Sequence, residues 1–106
     1  MLAVDDATGQ VVGYITAITD HVLAAYIPHL EVLPNYQGTG IGRALVERML
    51  DKLRDIYMID LVCDPDVESF YEKIGFRKVG GMCVRNYDRQ AGTLPPGLSG
   101  NGHQAG

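Results

Sequence analysis

Apolar residues fall along this chain in short blocks separated by polar and glycine-rich stretches. Leu2-Ala3-Val4 and Val11-Val12-Gly13-Tyr14-Ile15 are apolar and β-branched, and Asp5 to Gln10 between them is rich in turn formers, which predicts a hairpin. A further apolar run predicts a strand over about Ala24 to Leu33, bulged or bent near Pro28. Leu30 and Val32 then share one face and His29 and Glu31 the other. Pro34 to Gly40 reads as a loop, and a helix opens near Gly40 to Gly42. Its stripe is Ile41, Leu45, Met49 and Leu53, widened by Val46 and Leu50. Arg43 with Glu47, and Asp51 with Arg54, are spaced to pair on its wet faces.

Tyr57 to Cys63 is largely apolar and predicts a buried strand. Asp64-Pro65-Asp66 is a helix start, with a capping acid and a proline at the first position. Val67, Phe70, Tyr71 and Ile74 give that helix its apolar face, and Gly75 stops it. Arg77 to Asn86 predicts a last strand, kinked at Gly80-Gly81. The order is β-β-β-α-β-α-β, which places the chain in the α/β (α+β) class, with a mixed central sheet and two main helices. Residues 1–89 form the domain. Residues 90–106 are Gly/Pro-rich, poor in core formers, and predict a flexible tail.

Composition narrows the field. The chain has 106 residues, one domain's worth. No apolar run approaches the ~20 residues of a membrane span, so a membrane is not an expected partner. Met1 to Asp6 lacks the basic and apolar regions of a secretory signal, and the expected location is the cytoplasm. Cys63 and Cys83 are too few and too far apart for a disulfide framework or a zinc site, so reduced core or half-buried thiols and no metal are expected. The net charge of −4 argues against nucleic acid and mildly favours a cationic amine substrate.

The chemistry centres on Gln37-Gly38-Thr39-Gly40-Ile41-Gly42. A glycine-rich loop running into a helix start presents backbone N–H groups and the positive end of the helix dipole, which together suit an anion such as phosphate. A P-loop would need Lys-Ser/Thr after its last glycine, and Gly42 is followed by Arg43-Ala44. A dinucleotide fingerprint needs a third glycine where this chain has Arg43 or Leu45, although Asp60 stands about twenty residues on, where a ribose-binding acid is expected. The glycines alone establish an anion site at a helix start.

The surrounding residues carry a resemblance. Gln37 to Gly42 matches the Q/R-x-x-G-x-G/A motif of the GNAT superfamily of N-acetyltransferases. Leu30 to Tyr36 is similar to that family's fourth strand and loop, and Arg43 to Leu50 to its third helix. Phe70-Tyr71-Glu72-Lys73-Ile74-Gly75-Phe76 resembles its second signature, a helix ending in Tyr-x-x-x-Gly-Phe. The likeness covers roughly Val11 to Tyr87. It implies an acyl-CoA N-acyltransferase fold in which two parallel strands, here Tyr26–Leu33 and Met58–Cys63, splay apart around pantetheine. Backbone groups of Leu30 and Val32 would pair with the pantetheine amides. The turn of Gln37, Gly38, Thr39, Gly40, Ile41 and Gly42, with Arg43, would hold the pyrophosphate of acetyl-CoA. Glycine suits so close a backbone approach because it has no Cβ to obstruct the phosphate.

Acetyl transfer to an amine needs a base, because deprotonating an ammonium of pKa ~10.4 at neutral pH costs roughly 4–5 kcal/mol. It also needs a donor for the leaving thiolate. The resemblance gives Tyr71 the donor role. Glu31 is the first candidate base, with His29, Tyr26, Asp60 and Asp64 as alternatives; Asp64 also reads as a helix cap. Family members open with a strand and two helices that build much of the acceptor site, whereas this chain opens at the hairpin. A fragment, a minimal form and a partner-completed form are the three readings, and uncovered apolar surface favours a homodimer. Two functions follow: an N-acetyltransferase acting on a primary amine of a small molecule or peptide, or a non-catalytic acyl-CoA-binding module.

Overall fold

The structure, a computed structural model, describes residues 1–91. The expected tail therefore lies almost wholly outside the described residues. Two three-stranded sheets pack with a central helix. The first holds β1 (Leu2–Val4), β2 (Val11–Ile15) and β5 (Leu30–Val32), all antiparallel. The second holds β3 (Ile18–Thr19), β4 (Ala24–Tyr26) and β6 (Met58–Asp60), with β3–β4 antiparallel and β4–β6 parallel. Helix α1 spans Ile41–Lys52 and α2 spans Glu68–Glu72, the latter preceded by a 3-10 turn at Pro65–Val67.

The hairpin forms where the turn chemistry placed it. Asp5 N–H donates to the Gln10 carbonyl at 2.8 Å, and Gly9 takes a φ of 73° that an L side chain resists. The α1 stripe also forms: Leu45, Val46, Met49 and Leu53 are buried. They meet Ile15, Ala25 and Ile27, which come from both sheets, so one core serves the two. Burying each large aliphatic side chain contributes roughly 1.5–3 kcal/mol. The wet-face pairs are present, Arg43–Glu47 and Arg54–Asp51 each at 3.5 Å, and both are exposed enough to contribute little. Gly13 is required for a different reason: a Cβ there would stand 2.9 Å from the Glu31 carbonyl oxygen on the neighbouring strand.

The sheet differs from the expected one in three places. The run from Ala24 to Leu33 is two strands in two sheets rather than one bent strand, and β3 is additional. The run from Tyr57 to Cys63 forms only β6 and is not buried: Tyr57 is 82% exposed and Val62 65%. Residues 77–86 form no strand and are exposed throughout, Met82 and Cys83 included. Val79 and Val84 have strand propensity, but a strand exists only against a partner, and Gly80-Gly81 weakens this segment's own preference.

Candidate functional site

The cleft begins with a change of backbone direction at Pro28. Ile15 stands opposite Leu30 and Ile18 opposite Tyr26, so the β4–β5 run carries one more residue than the run it faces. That is a β-bulge, and it reverses which edge the backbone groups address. Ile27 N–H donates to the Asp60 carbonyl at 3.0 Å, toward β6. Two residues on, the His29 carbonyl accepts from Thr16 N–H at 3.1 Å, on the opposite edge. From there β5 is bonded to β2, with Leu33 N–H donating to Val12 at 2.8 Å. Alternation along an antiparallel pair then turns the N–H and C=O of Leu30 and Val32 away from β2. The chain after Asp60, meanwhile, has lost its pairing with β4.

The two chains part here into a cleft of about 340 Å³. Pro28, His29, Leu30 and Glu31 form one wall; Val62, Cys63, Asp64, Val67 and Tyr71 form the other. Gln37 Nε2 donates to the Val32 carbonyl at 3.0 Å, which leaves Leu30 N–H, Leu30 C=O and Val32 N–H on the edge that faces away from β2. An extended amide-bearing arm would add to such an edge as a strand does.

Beyond Val32 the 3-10 turn Pro34–Tyr36 leads into the glycine turn. Gly38 has φ 78° and Gly40 φ 90°, both in the left-handed region, and a Cβ at either would meet nothing within 4 Å. Gly40 is the N-cap of α1 and brings no side chain to cap it, and the first turn contains no acid. The first intrahelical bond runs from Ala44 N–H to the Gly40 carbonyl at 3.0 Å. The N–H groups of Ile41, Gly42 and Arg43 therefore have no intrahelical partner and face outward at the positive end of the helix. This open, glycine-lined turn is suited to an anion. Gly42 is held closer, its pro-Cβ position 3.5 Å from Phe70 and 3.7 Å from Val32, which brings the start of α1 against α2.

Tyr71 is fixed by the local chemistry of α2. Gly75, at φ 117°, ends the helix and lets Phe76 N–H return to the Tyr71 carbonyl at 3.1 Å. The Tyr71 ring then lies edge-on between Phe70 and Phe76, with centroids 5.0 and 5.6 Å away. Burial, with a smaller effect of Cys63, raises its pKa above the ordinary 10.0, so its hydroxyl is a donor at neutral pH. Burial and then the charges of Glu68, Asp64 and Asp66 push the Cys63 thiol up as well, which keeps it protonated and unreactive.

The cleft gathers Leu30, Glu31, His29, Asp64 and Tyr71. Tyr26 and Asp60 line instead a second groove of about 490 Å³, which runs along β6 toward residues 76–83 and shares Val62, Cys63 and Tyr71 with the first. His29 Nδ1 lies 3.5 Å from Thr16 Oγ1. Asp64 precedes its helix without a side-chain cap bond, so the expected capping role is not filled. The Gln37 side chain and the Thr39 hydroxyl, which donates to the Tyr36 carbonyl, are engaged within the turn itself. Arg43 is turned to Glu47. Among the described residues no three His, Cys, Asp or Glu side chains are grouped to hold a metal, and no helix is long and apolar enough to cross a membrane.

Sequence reasoning missed a bond across the site. The Tyr36 hydroxyl donates to Asp5 Oδ2 at 2.7 Å. That bond, with Ala7 N–H, lowers the Asp5 pKa below 3.8, and in return it raises Tyr36 above 10.0. The depressed acid contributes above about pH 3.8 and is lost as pH falls through its folded value; the raised phenol contributes below 10.0 and is lost above it. The pair is intact throughout the neutral range. Thirty-one residues separate its members, and no local signal joins them.

A bulge-opened cleft thus has a tyrosine on its wall and a glycine turn suited to an anion at the start of α1. Residues 1–78 match the Acetyltransferase (GNAT) domain family, and the chain belongs to it. It is 37% identical over 75 residues to an uncharacterized N-acetyltransferase, ycf52, of Pyropia yezoensis, covering 69% of this chain and 43% of that protein. It is 42% identical over 69 residues to the chloroplastic GCN5-related N-acetyltransferase 2 of Arabidopsis thaliana, covering 63% of this chain and 27% of that protein. The chain thus spans less than half the length of these relatives. Among solved structures, a candidate acetyltransferase of Deinococcus radiodurans R1 superposes with a TM-score of 0.81 at 45% identity, over 89% of this chain and 65% of that one. A GNAT family acetyltransferase of Streptococcus pneumoniae TIGR4 gives 0.69 at 28% identity, over 80% and 69%. The mixed α/β fold is that of the GNAT acyltransferases.

Proposed function

We propose that this chain binds acetyl-CoA with its pantetheine arm in the Pro28 cleft and its pyrophosphate on the glycine turn, and transfers the acetyl group to a primary amine. The observation that carries this reading is the bulge at Pro28. It turns Leu30 and Val32 backbone groups into a gap that has Tyr71 on its far wall, next to the start of α1. Leu30 and Val32 orient the arm, and the N–H groups from Gly38 to Arg43 hold the phosphates. The Tyr71 hydroxyl donates to the sulfur as the thioester breaks. Glu31 takes the amine proton, directly or through water, and His29 is its neighbour in the same cleft. The second groove meets the cleft at Tyr71 and Cys63 and gives an acceptor amine a route to the thioester carbon.

The test is a thermal shift with acetyl-CoA followed by thiol release across a panel of primary amines. A rise in melting temperature and turnover on one amine class support the reading. No stabilisation at millimolar acetyl-CoA removes it. Stabilisation without turnover on any amine leaves a non-catalytic acyl-CoA-binding module instead.

Two further outcomes follow. Gly40→Ala forces a side chain into the left-handed region, at a cost of about 1–2 kcal/mol, and is expected to weaken acetyl-CoA about tenfold by calorimetry. Gly42→Ala, whose Cβ would make ordinary contacts with Phe70 and Val32, is expected to bind like the parent. Equal affinity in both variants would take the turn out of the site. The exposed apolar side chains of Val22, Leu23 and Tyr57 suit a homodimer, which sedimentation at micromolar protein would reveal.

A further inference from the structure

The glycine turn has a conformational problem that its own residues do not solve. Gly38 and Gly40 adopt backbone angles that only glycine takes readily, and the same freedom lets an untethered turn leave them. A binding loop that must be ordered at the moment of binding loses affinity to that ordering. The structure supplies a restraint from outside the turn.

The restraint starts at Asp5, which opens the β1–β2 loop and is itself well fixed. Its N–H donates to the Gln10 carbonyl at 2.8 Å, its carbonyl accepts from Gly9 N–H at 2.7 Å, and its Oδ1 accepts from Ala7 N–H at 2.9 Å. Its other carboxylate oxygen accepts the Tyr36 hydroxyl at 2.7 Å. Tyr36 closes the 3-10 turn immediately before the glycines, and its own N–H donates to the Leu33 carbonyl at 2.8 Å. Its carbonyl accepts the hydroxyl of Thr39, the residue between the two left-handed glycines. Bonded groups therefore run from the hairpin, through Tyr36, to the middle of the anion turn. Tyr36 is half-buried and lies outside the hydrophobic core cluster, so its hydroxyl bond is a main tie between this turn and the hairpin. A hydrogen bond to a carboxylate is among the stronger ones available near a surface.

We infer that Asp5 and Tyr36 are positioning residues that hold the glycine turn in its anion-binding shape, an assignment that rests on the acetyl-CoA reading above. Neither touches the reacting atoms. Their effect is on the diphosphate end of the ligand, at a distance from the thioester end.

That separation gives the test. Dissociation constants for coenzyme A and for pantetheine, which lacks the diphosphate, are measured by titration for the parent chain, Tyr36→Phe, Asp5→Ala and the double variant. Each single variant is expected to weaken coenzyme A about three- to tenfold, the value of one lost hydrogen bond, and to leave pantetheine unchanged. The double variant is expected to be no weaker than Asp5→Ala alone, because both single changes remove the bond between these two residues. Unchanged coenzyme A affinity in the single variants overturns the inference. So does a parallel loss for both ligands, which marks a general structural defect. Additive losses in the double variant overturn it too, since they show two independent roles. Should Tyr36→Phe fold poorly, Asp5→Ala carries the same comparison from the β1–β2 loop. Failure of the parent chain itself to bind coenzyme A sinks the acetyl-CoA reading and this inference with it, and the parent titration alone identifies that case.

Discussion

Replacing Tyr71 by phenylalanine is expected to lower kcat for acetyl transfer by about a hundredfold while leaving acetyl-CoA affinity within about twofold. The ring stays edge-on between Phe70 and Phe76, and only the hydroxyl leaves. Free tyrosine already lies about 1.5 units above a thiol, or ~2 kcal/mol, and burial raises Tyr71 further. Complete proton transfer to the thiolate is uphill, so the hydroxyl acts by hydrogen bonding to charge as it develops. A bond that strengthens in the transition state lowers kcat when it is removed and leaves ground-state binding alone. The direction of the shift also fixes the pH behaviour. The hydroxyl keeps its proton until pH passes 10.0 and approaches the raised value, so no loss of rate from Tyr71 is expected across the neutral range. Folding stability from this group is likewise constant below pH 10.0 and falls as pH rises from there through the folded value. Steady-state kinetics from pH 6 to 9 with a reactive amine check the fall in kcat and its flat pH dependence, and unfolding above pH 10.0 checks the stability. Unchanged kcat in the variant would return Tyr71 to a packing role.

What could be read beforehand divides along physical lines. The stripe of Leu45, Met49 and Leu53 was legible because helical periodicity depends only on local geometry, and those residues are buried. The glycine turn was legible because φ values of 78° and 90° demand glycine. Pro28 announced a disturbance in its strand. Its consequence, the switch of Ile27 and His29 to opposite edges, depends on which strands lie on either side and is set by tertiary pairing. Residues 77–86 went the other way: Val79 and Val84 promised a strand that no neighbour completes. At the site, periodicity alone put Tyr71 on the buried face with Phe70 and Ile74. The position of Tyr71 at the edge of that face, on the wall of an open cleft, follows from the gap between β5 and the chain after β6. The bond between Tyr36 and Asp5 was beyond any local pattern.

Ile15→Ala is expected to destabilise the fold by about 2–5 kcal/mol, against the ~5–15 kcal/mol that domains of this size have in total. Ile15 is fully buried and ends β2 at the level of the bulge. Its backbone is bonded to Met1 in both directions, at 3.0 and 3.1 Å, so the strand cannot slide to fill a cavity. Its side chain belongs to the cluster that also contains Ala25 and Ile27 from the other sheet and Val46 from α1. Each sheet has three short strands, too few to hold together without a shared core. A void at this point therefore weakens the junction from which the cleft opens, as well as the local packing. With a urea m-value of ~1–3 kcal/mol/M, the unfolding midpoint is expected to fall by about 0.7–5 M. Ile15→Val removes one methyl group and is expected to cost about 0.5–1.5 kcal/mol. If Ile15→Ala cost no more than about 0.5 kcal/mol, as a surface change does, the two sheets would not be sharing this core. The cleft would then need another support, since β5 and β6 share no strand pairing and the packing around Ile15 and Ile27 is a main link between their sheets.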